Sequence, residues 1–202
     1  MDILNLKYIL VGDTSVGKTS LFRRYTEDKF DEIYEPTIGI GSKIKEITIE
    51  GYKINSHIFD TAGQERFKSL IKNYFRNNNG IFIVFDLTNK KSFENINYWM
   101  NEIKSTHIDN NIVILGNKSD LNEIIQVTDE DIKEFEKNND IQIIKTSAKN
   151  NINIEQAFEA MFNLIIKNKN DEEIYSEFCP NYSKKKLMLN NRINNGFVGC
   201  CP

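Results

Sequence analysis

The chain has 202 residues, 40% hydrophobic and 27% charged, with a formal net charge of -3. That size and apolar content suit one domain with a full core plus a short appendage. The two signs of charge are interspersed, so no basic surface is indicated and no nucleic-acid partner is expected. The opening Met1 to Lys7 lacks a basic segment followed by a long apolar one, and no apolar run reaches the roughly twenty residues of a membrane span. A soluble intracellular protein is therefore expected. The three cysteines, Cys179, Cys200 and Cys201, all fall near the C-terminus. This argues against a disulfide framework or a zinc site inside the domain.

In chain order, the first element is an apolar strand, Tyr8 to Val11, which meets a loop at Gly12 and a helix running from Lys18 to about Glu27. Gly12, Gly17, Lys18 and Thr19 fit the pattern G-x-x-x-x-G-K-[ST], a phosphate loop. The glycines let the backbone turn tightly, so that successive N–H groups converge on an anion at the positive end of the helix. The phosphate-binding stretch is thus Asp13, Thr14, Ser15, Val16, Gly17, Lys18, Thr19 and Ser20. Lys18 supplies a point charge for the outer phosphates, and the Thr19 hydroxyl is placed to ligate Mg²⁺.

The polar stretch from Asp28 to Ile40 carries Pro36 and reads as a loop beside the phosphates. Lys43 to Ile49, with Ile44, Ile47 and Ile49 among charged residues, reads as an alternating strand; Glu50-Gly51 and Lys53 to Phe59 complete a hairpin. A helix is predicted from about Phe67 to Phe75. Gly80 to Leu87 is a nearly continuous apolar strand, the mark of a parallel sheet covered on both faces. Then follow a helix (Ser92 to Thr106), a strand (Ile112 to Leu115), a helix (Asp129 to Lys137), a strand (Ile141 to Lys145) and an amphipathic helix (Ile154 to Lys167). Alternating strands and helices predict a doubly wound α/β sheet with ligands at the carboxyl ends of its strands.

Three polar clusters follow strands at that edge: Asp60-Thr-Ala-Gly63-Gln64, Asn117-Lys118-Ser-Asp120, and Thr146-Ser147-Ala148-Lys149. Each alone has a plain reading as a turn, a solvated loop or a helical cap. Together, in order behind a phosphate loop, they make the chain resemble the Ras superfamily of small GTPases and, within it, the Rab family. The resemblance covers roughly residues 5 to 168, through Gly12 to Thr19, Thr37, Asp60 to Gln64, Asn117 to Asp120 and Ser147 to Lys149. It implies a six-stranded sheet, five strands parallel and one antiparallel, flanked by about five helices.

The resemblance also implies roles. Asp120 accepts N1–H and the 2-amino group of guanine, a charge-assisted pair that adenine cannot make. Asn117 supports the base and the phosphate loop, Ala148 gives its N–H to the guanine oxygen, and Lys118 and Phe30 lie against the ring; Ser147 and Lys149 complete the guanine-binding set. Thr19 and Thr37 ligate Mg²⁺, and Asp60 supports it. The Gly63 N–H meets the γ-phosphate, Gln64 orients the attacking water, and Lys18 offsets the growing charge, so Gln64 and Lys18 are the catalytic residues. Arg66 invites the idea of an internal arginine finger, but relatives take that finger from an activating partner. The expected cycle is slow hydrolysis of GTP to GDP, with loops Asp28 to Ile40 and Gly63 to Asn73 ordered by the γ-phosphate and released when it leaves. Exchange factors, a GTPase-activating protein, a GDP-dissociation inhibitor and effectors are the implied partners, and vesicle trafficking the implied process. A GTP-binding scaffold without hydrolysis and a phosphate-loop kinase are the alternatives; the first leaves Gln64 unexplained, the second Asn117 to Asp120.

From about Asn168 the periodicity stops, and residues 169 to 202 read as a disordered tail on a domain of residues 1 to 168. The tail ends Gly199-Cys200-Cys201-Pro202. A four-residue prenylation box needs cysteine at 199, which is glycine; the pair resembles the double-cysteine ending of Rab proteins, where both cysteines are geranylgeranylated. Two lipids give stable anchoring where one is marginal. The location expected is the cytoplasmic face of an intracellular membrane, in exchange with cytosol. Gly41-Ser42, Phe59 and Asn77 to Asn79 depart from the usual Rab pattern, all on the surface that partners read or its support.

Overall fold

A computed structural model describes residues 3–32, 37, 39–61, 75, 78–106, 111–167, 169–180 and 182. Six strands form one sheet: β1 (Ile3–Gly12), β2 (Ile40–Ile49), β3 (Tyr52–Thr61), β4 (Gly80–Asp86), β5 (Asn111–Asn117) and β6 (Ile143–Lys145), in the order β2-β3-β1-β4-β5-β6. β2 runs antiparallel to β3 and every other pairing is parallel, as the sequence led one to expect. The helices are α1 (Lys18–Glu27), α2 (Lys90–Glu94), α3 (Ile96–Lys104), α4 (Asp129–Asn139), α5 (Ile154–Ile166) and α6 (Asp171–Phe178). α2 and α3 are one expected helix interrupted at Asn95, which caps one and opens the other. The helix expected near Phe67 to Phe75 lies outside the described residues apart from Phe75, which is buried.

Successive β1 residues alternate between two cores, as the two-residue period of a strand requires. Leu4, Leu6, Tyr8 and Leu10 meet α1, α5 and α6 through Leu21, Phe158, Met161 and Ile174. Ile9 and Val11 face the other way, toward Phe93, Trp99, Ile103 and Ile132 from α2, α3 and α4. β4 is buried at all seven positions, as a doubly covered parallel strand should be.

Two expectations are corrected. Ile44 does not share the core face of Ile47 and Ile49: the three-residue step from 44 to 47 reverses face, and Ile44 is 60% exposed. The second concerns the tail, whose first part is ordered. Asn170 and Glu173 form a reciprocal capping box that opens α6, and Ile174 and Phe178, one helical turn apart, are buried in the main core with Cys179. Tyr52 on β3 hydrogen-bonds Asp171 and packs its ring 5.9 Å from Tyr175. The high charge of this stretch belongs to its outer face.

α6 is therefore part of the folded unit. Phe178 is 4% exposed, and Phe178→Ala should lower unfolding stability by about 3–5 kcal/mol, the usual cost of truncating a buried aromatic. A urea titration checks it: the midpoint falls if α6 is structural and stays put if the helix is an ornament.

Candidate functional site

The carboxyl ends of β1, β3, β5 and β6 rim a cavity of about 980 Å³, which takes in Lys18, Thr19, Thr37, Asp60, Asn117 and Asp120. Thr14, Ser15, Gly17, Ser20, Phe30, Lys118, Ala148 and Lys149 from the sequence prediction line it too. Asp13, Val16 and Ser147 do not. Val16 is in the core; the Asp13 carbonyl accepts from Lys18, and the Ser147 hydroxyl donates to Asp120. Gln64 and Gly63 lie outside the described residues, as do Arg66, Cys200 and Cys201.

The phosphate loop leaves β1 at Gly12 and turns into α1 at Gly17, both at positive φ. A Cβ on Gly12 would stand 2.1 Å from the Val84 carbonyl oxygen, and one on Gly17 2.2 Å from Asn117 Nδ2. Only glycine fits at either place, by space as well as by backbone angle. Lys18 is folded back under the loop, its Nζ donating to the carbonyls of Gly12 (2.9 Å) and Asp13 (2.7 Å). Burial lowers its pKa to about 8 against the pull of the Asp60 and Asp13 charges. An anion in the cavity would restore the charged form.

Three of the expected metal-binding groups touch one another. Thr19 Oγ1 donates to Asp60 Oδ2 at 2.7 Å and lies 2.7 Å from Thr37 Oγ1. Burial raises the Asp60 pKa, opposed first by the Thr19 hydrogen bond and then by the Lys18 charge. Asp60 Oδ1 is buried with no hydrogen-bond partner among the described residues. Two hydroxyls and a carboxylate with a spare buried oxygen are hard donors that fit a magnesium ion.

On the far side, Asn117 is 2% exposed and joins two loops: its amide donates to the Val16 carbonyl (3.0 Å), and its oxygen accepts the Ala148 N–H (3.3 Å). The Ala148 N–H, expected to serve the base, has this internal partner here. Ser147 donates its hydroxyl to Asp120 Oδ1 at 2.5 Å and so orients that carboxylate. Lys118 Nζ pairs with Asp86 at 2.6 Å.

Sequence reasoning missed one support. The Asp13 carboxylate turns away from the cavity to accept from Asn95 Nδ2 (2.7 Å) and Trp99 Nε1 (3.0 Å), tying the phosphate loop to α3. Asn95 and Trp99 sit four apart on one helical face, a spacing that marked them as neighbours but gave no sign of a partner 86 residues away.

A family model described as Ras family matches residues 7–167. Ras-related protein Rab-13 of Rattus norvegicus is 42% identical over 158 residues, 77% of each chain. Ras-related protein Rab-8 of Diplobatis ommata is 44% identical over 154 residues, 75% of this chain and 73% of its own. Ras-related protein Rab-8B of Homo sapiens is 44% identical over 154 residues, covering 75% and 74%.

The Asp13 tether generates a test. Trp99→Phe keeps the ring packing but removes one donor to a charged acceptor, and should cost about 1.5–3 kcal/mol. Hydrogen exchange resolved by segment reads it: protection falls over residues 13–17, whereas uniform loss across the fold would mean that Trp99 only fills space.

Proposed function

The chain belongs to the Ras family of small GTPases, in its Rab branch, and from that premise we propose how its residues divide the work of a GTP-driven switch in vesicle traffic. The single observation that supports the assignment is convergence: residues of five separate sequence motifs rim one cavity large enough for a nucleotide. Neither a scaffold without hydrolysis nor a phosphate-loop kinase is favoured by the family match.

At the base end, Asp120 accepts N1–H and the 2-amino group of guanine, its carboxylate held by Ser147. Adenine presents a lone pair at N1 and no 2-amino group. Such a pocket rejects the wrong purine by about 10⁴ or more, because the buried acceptor is left unpaired. Phe30 and the stem of Lys118 flank the ring. Asn117 fixes the distance between base and phosphate subsites by spanning the loops that form them.

At the phosphate end, the backbone of residues 13–20 wraps the β- and γ-phosphates. Lys18 leaves its carbonyl partners to meet them. Thr19, Thr37 and Asp60 would hold Mg²⁺, which when bound neutralises charge on the phosphate oxygens. Gln64 orients the water that attacks the γ-phosphorus in line with the departing GDP oxygen, and the Gly63 N–H holds the γ-phosphate. Positioning and charge stabilisation are the protein's whole contribution, so unassisted turnover is slow, on the order of 10⁻⁴ to 10⁻³ per second, and an activating protein raises it by several powers of ten.

Thr37 lies in the segment that follows α1. With Thr37 on the metal and the Gly63 N–H on the γ-phosphate, phosphate occupancy would order residues 28–40 and 63–73. Effectors read the ordered form, an exchange factor reopens the site, and a GDP-dissociation inhibitor carries the lipidated GDP form. Geranylgeranylation of Cys200 and Cys201 anchors the protein to the cytoplasmic face of an intracellular membrane. No helix among the described residues is long and apolar enough to cross one.

Two variants test the assignment. Asp120→Asn exchanges an acceptor for an amide that donates to a 2-oxo group, and competition binding should show preference moving from guanine to xanthine nucleotides; unchanged GTP affinity refutes the role. Gln64→Leu should depress single-turnover hydrolysis strongly at nearly unaltered GTP affinity, and loss of binding in its place refutes that one.

A further inference from the structure

Arg24 lies in the last turn of α1, the helix whose other end carries Lys18 and Thr19. A basic residue there has an ordinary explanation. It complements the negative end of the helix and pairs with Asp28 four residues on, Nη1 to Oδ1 at 2.8 Å. That explanation accounts for Nη1 alone. Nε donates to the Ala148 carbonyl at 2.8 Å and Nη2 to the Lys149 carbonyl at 3.2 Å, across 124 and 125 residues of chain. The side chain is only 14% exposed. Its neighbour Arg23 pairs with the exposed Asp31, so the reach toward the base loop belongs to Arg24.

A planar guanidinium donating to two successive carbonyls fixes the orientation of that peptide as well as its position. The peptide in question follows Ser147, which is fully buried, accepts the Asn150 N–H at 3.0 Å and donates to Asp120 at 2.5 Å. Moving Ala148 and Lys149 therefore moves the hydroxyl that aims the Asp120 carboxylate. One helix thus holds the phosphate loop at its first turn and the base loop at its last.

We propose that Arg24 is a positioning residue for base specificity, its fork onto the Ala148 and Lys149 carbonyls setting Asp120, through Ser147, against the 2-amino edge of guanine. The inference rests on the reading of Asp120 as the guanine acceptor. Among the described residues, the hydrogen bonds of Arg24 go to Asp28, Ala148 and Lys149 and none to Thr19, Thr37 or Asp60, so its effect is on holding and choosing the base, with hydrolysis left alone.

The test compares GDP with inosine diphosphate, which keeps N1–H but lacks the 2-amino group. The full-length chain and its Arg24→Gln and Arg24→Lys variants are loaded with each nucleotide, and release is followed into excess unlabelled GDP. In Arg24→Gln, GDP release should quicken about 10- to 100-fold, as expected for losing two charge-assisted hydrogen bonds. Inosine diphosphate release should quicken less, narrowing the preference between the two. Arg24→Lys should recover part of the preference, because an ammonium reaches one carbonyl but not both. Single-turnover hydrolysis of prebound GTP should stay within about twofold of the parent. Unchanged release, or equal acceleration for both nucleotides, would overturn the inference and leave the Asp120 reading standing. A parent protein that holds inosine diphosphate as firmly as GDP would overturn both.

Discussion

The buried amide of Asn117 holds together two loops, at Val16 and Ala148, that lie 132 residues apart in the chain. Its donor faces the Val16 carbonyl and its acceptor the Ala148 N–H, so both halves of one side chain are consumed in joining the phosphate loop to the base loop. An amide is the small side chain that offers one donor group and one acceptor on the same plane. A carboxylate would repel the Val16 oxygen, and an apolar isostere would leave a buried carbonyl and a buried N–H unpaired. Gly17 is the other side of this constraint, because the amide occupies the space a Cβ would need. Phosphate loop and amide are fitted to each other, and the distance between the two subsites follows from that fit.

Around this joint the site is charged in a graded way. Lys18 and Asp60 are both buried, and burial disfavours the charged form of each, lowering one pKa and raising the other. Each also supports the charge of its partner, yet the hydrogen bonds they make are to carbonyls and hydroxyls. In the proposed reading, a phosphate oxygen or a divalent cation would take the place of these contacts. The internal bonds keep the side chains in place at modest cost until ligands of full charge arrive, which is the sense in which a polar site is organised in advance.

Much of this was legible in the sequence, for identifiable reasons. Strand and helix order came from period: the second half of β1, all of β4 and most of β5 are buried at successive positions, and they read as plain apolar runs. The phosphate loop was legible because its chemistry needs particular residues at adjacent positions. What escaped depends on distance in sequence or on weak local signals. Asn95 and Trp99 fall within one expected helix, and their bonds to Asp13 cross 82 and 86 residues. Ile44 was read onto the wrong face because three isoleucines in seven residues suggested alternation although one step is three residues long. For α6, the capping pair Asn170 and Glu173 ahead of Ile174 and Phe178 was a readable helix start, obscured by Asp171, Glu172 and Glu173. Acidic residues in a first turn stabilise a helix N-terminus, so their density was a sign of order.

α6 moves the boundary of the folded unit, and with it the reach of the tail proposed to carry the lipids. With Phe178 and Cys179 in the core, the described fold runs to Tyr182. From Tyr182 to Cys200 there are 18 residue steps, which even fully extended span at most about 65 Å; from Asn168 the same limit is about 115 Å. α6 packs beside the start of β1, at the end of the strand opposite Gly12 and the phosphate loop. Packing of one short helix onto the sheet thereby carries the folded unit through Phe178 and Cys179, at the edge of the sheet away from the phosphate loop.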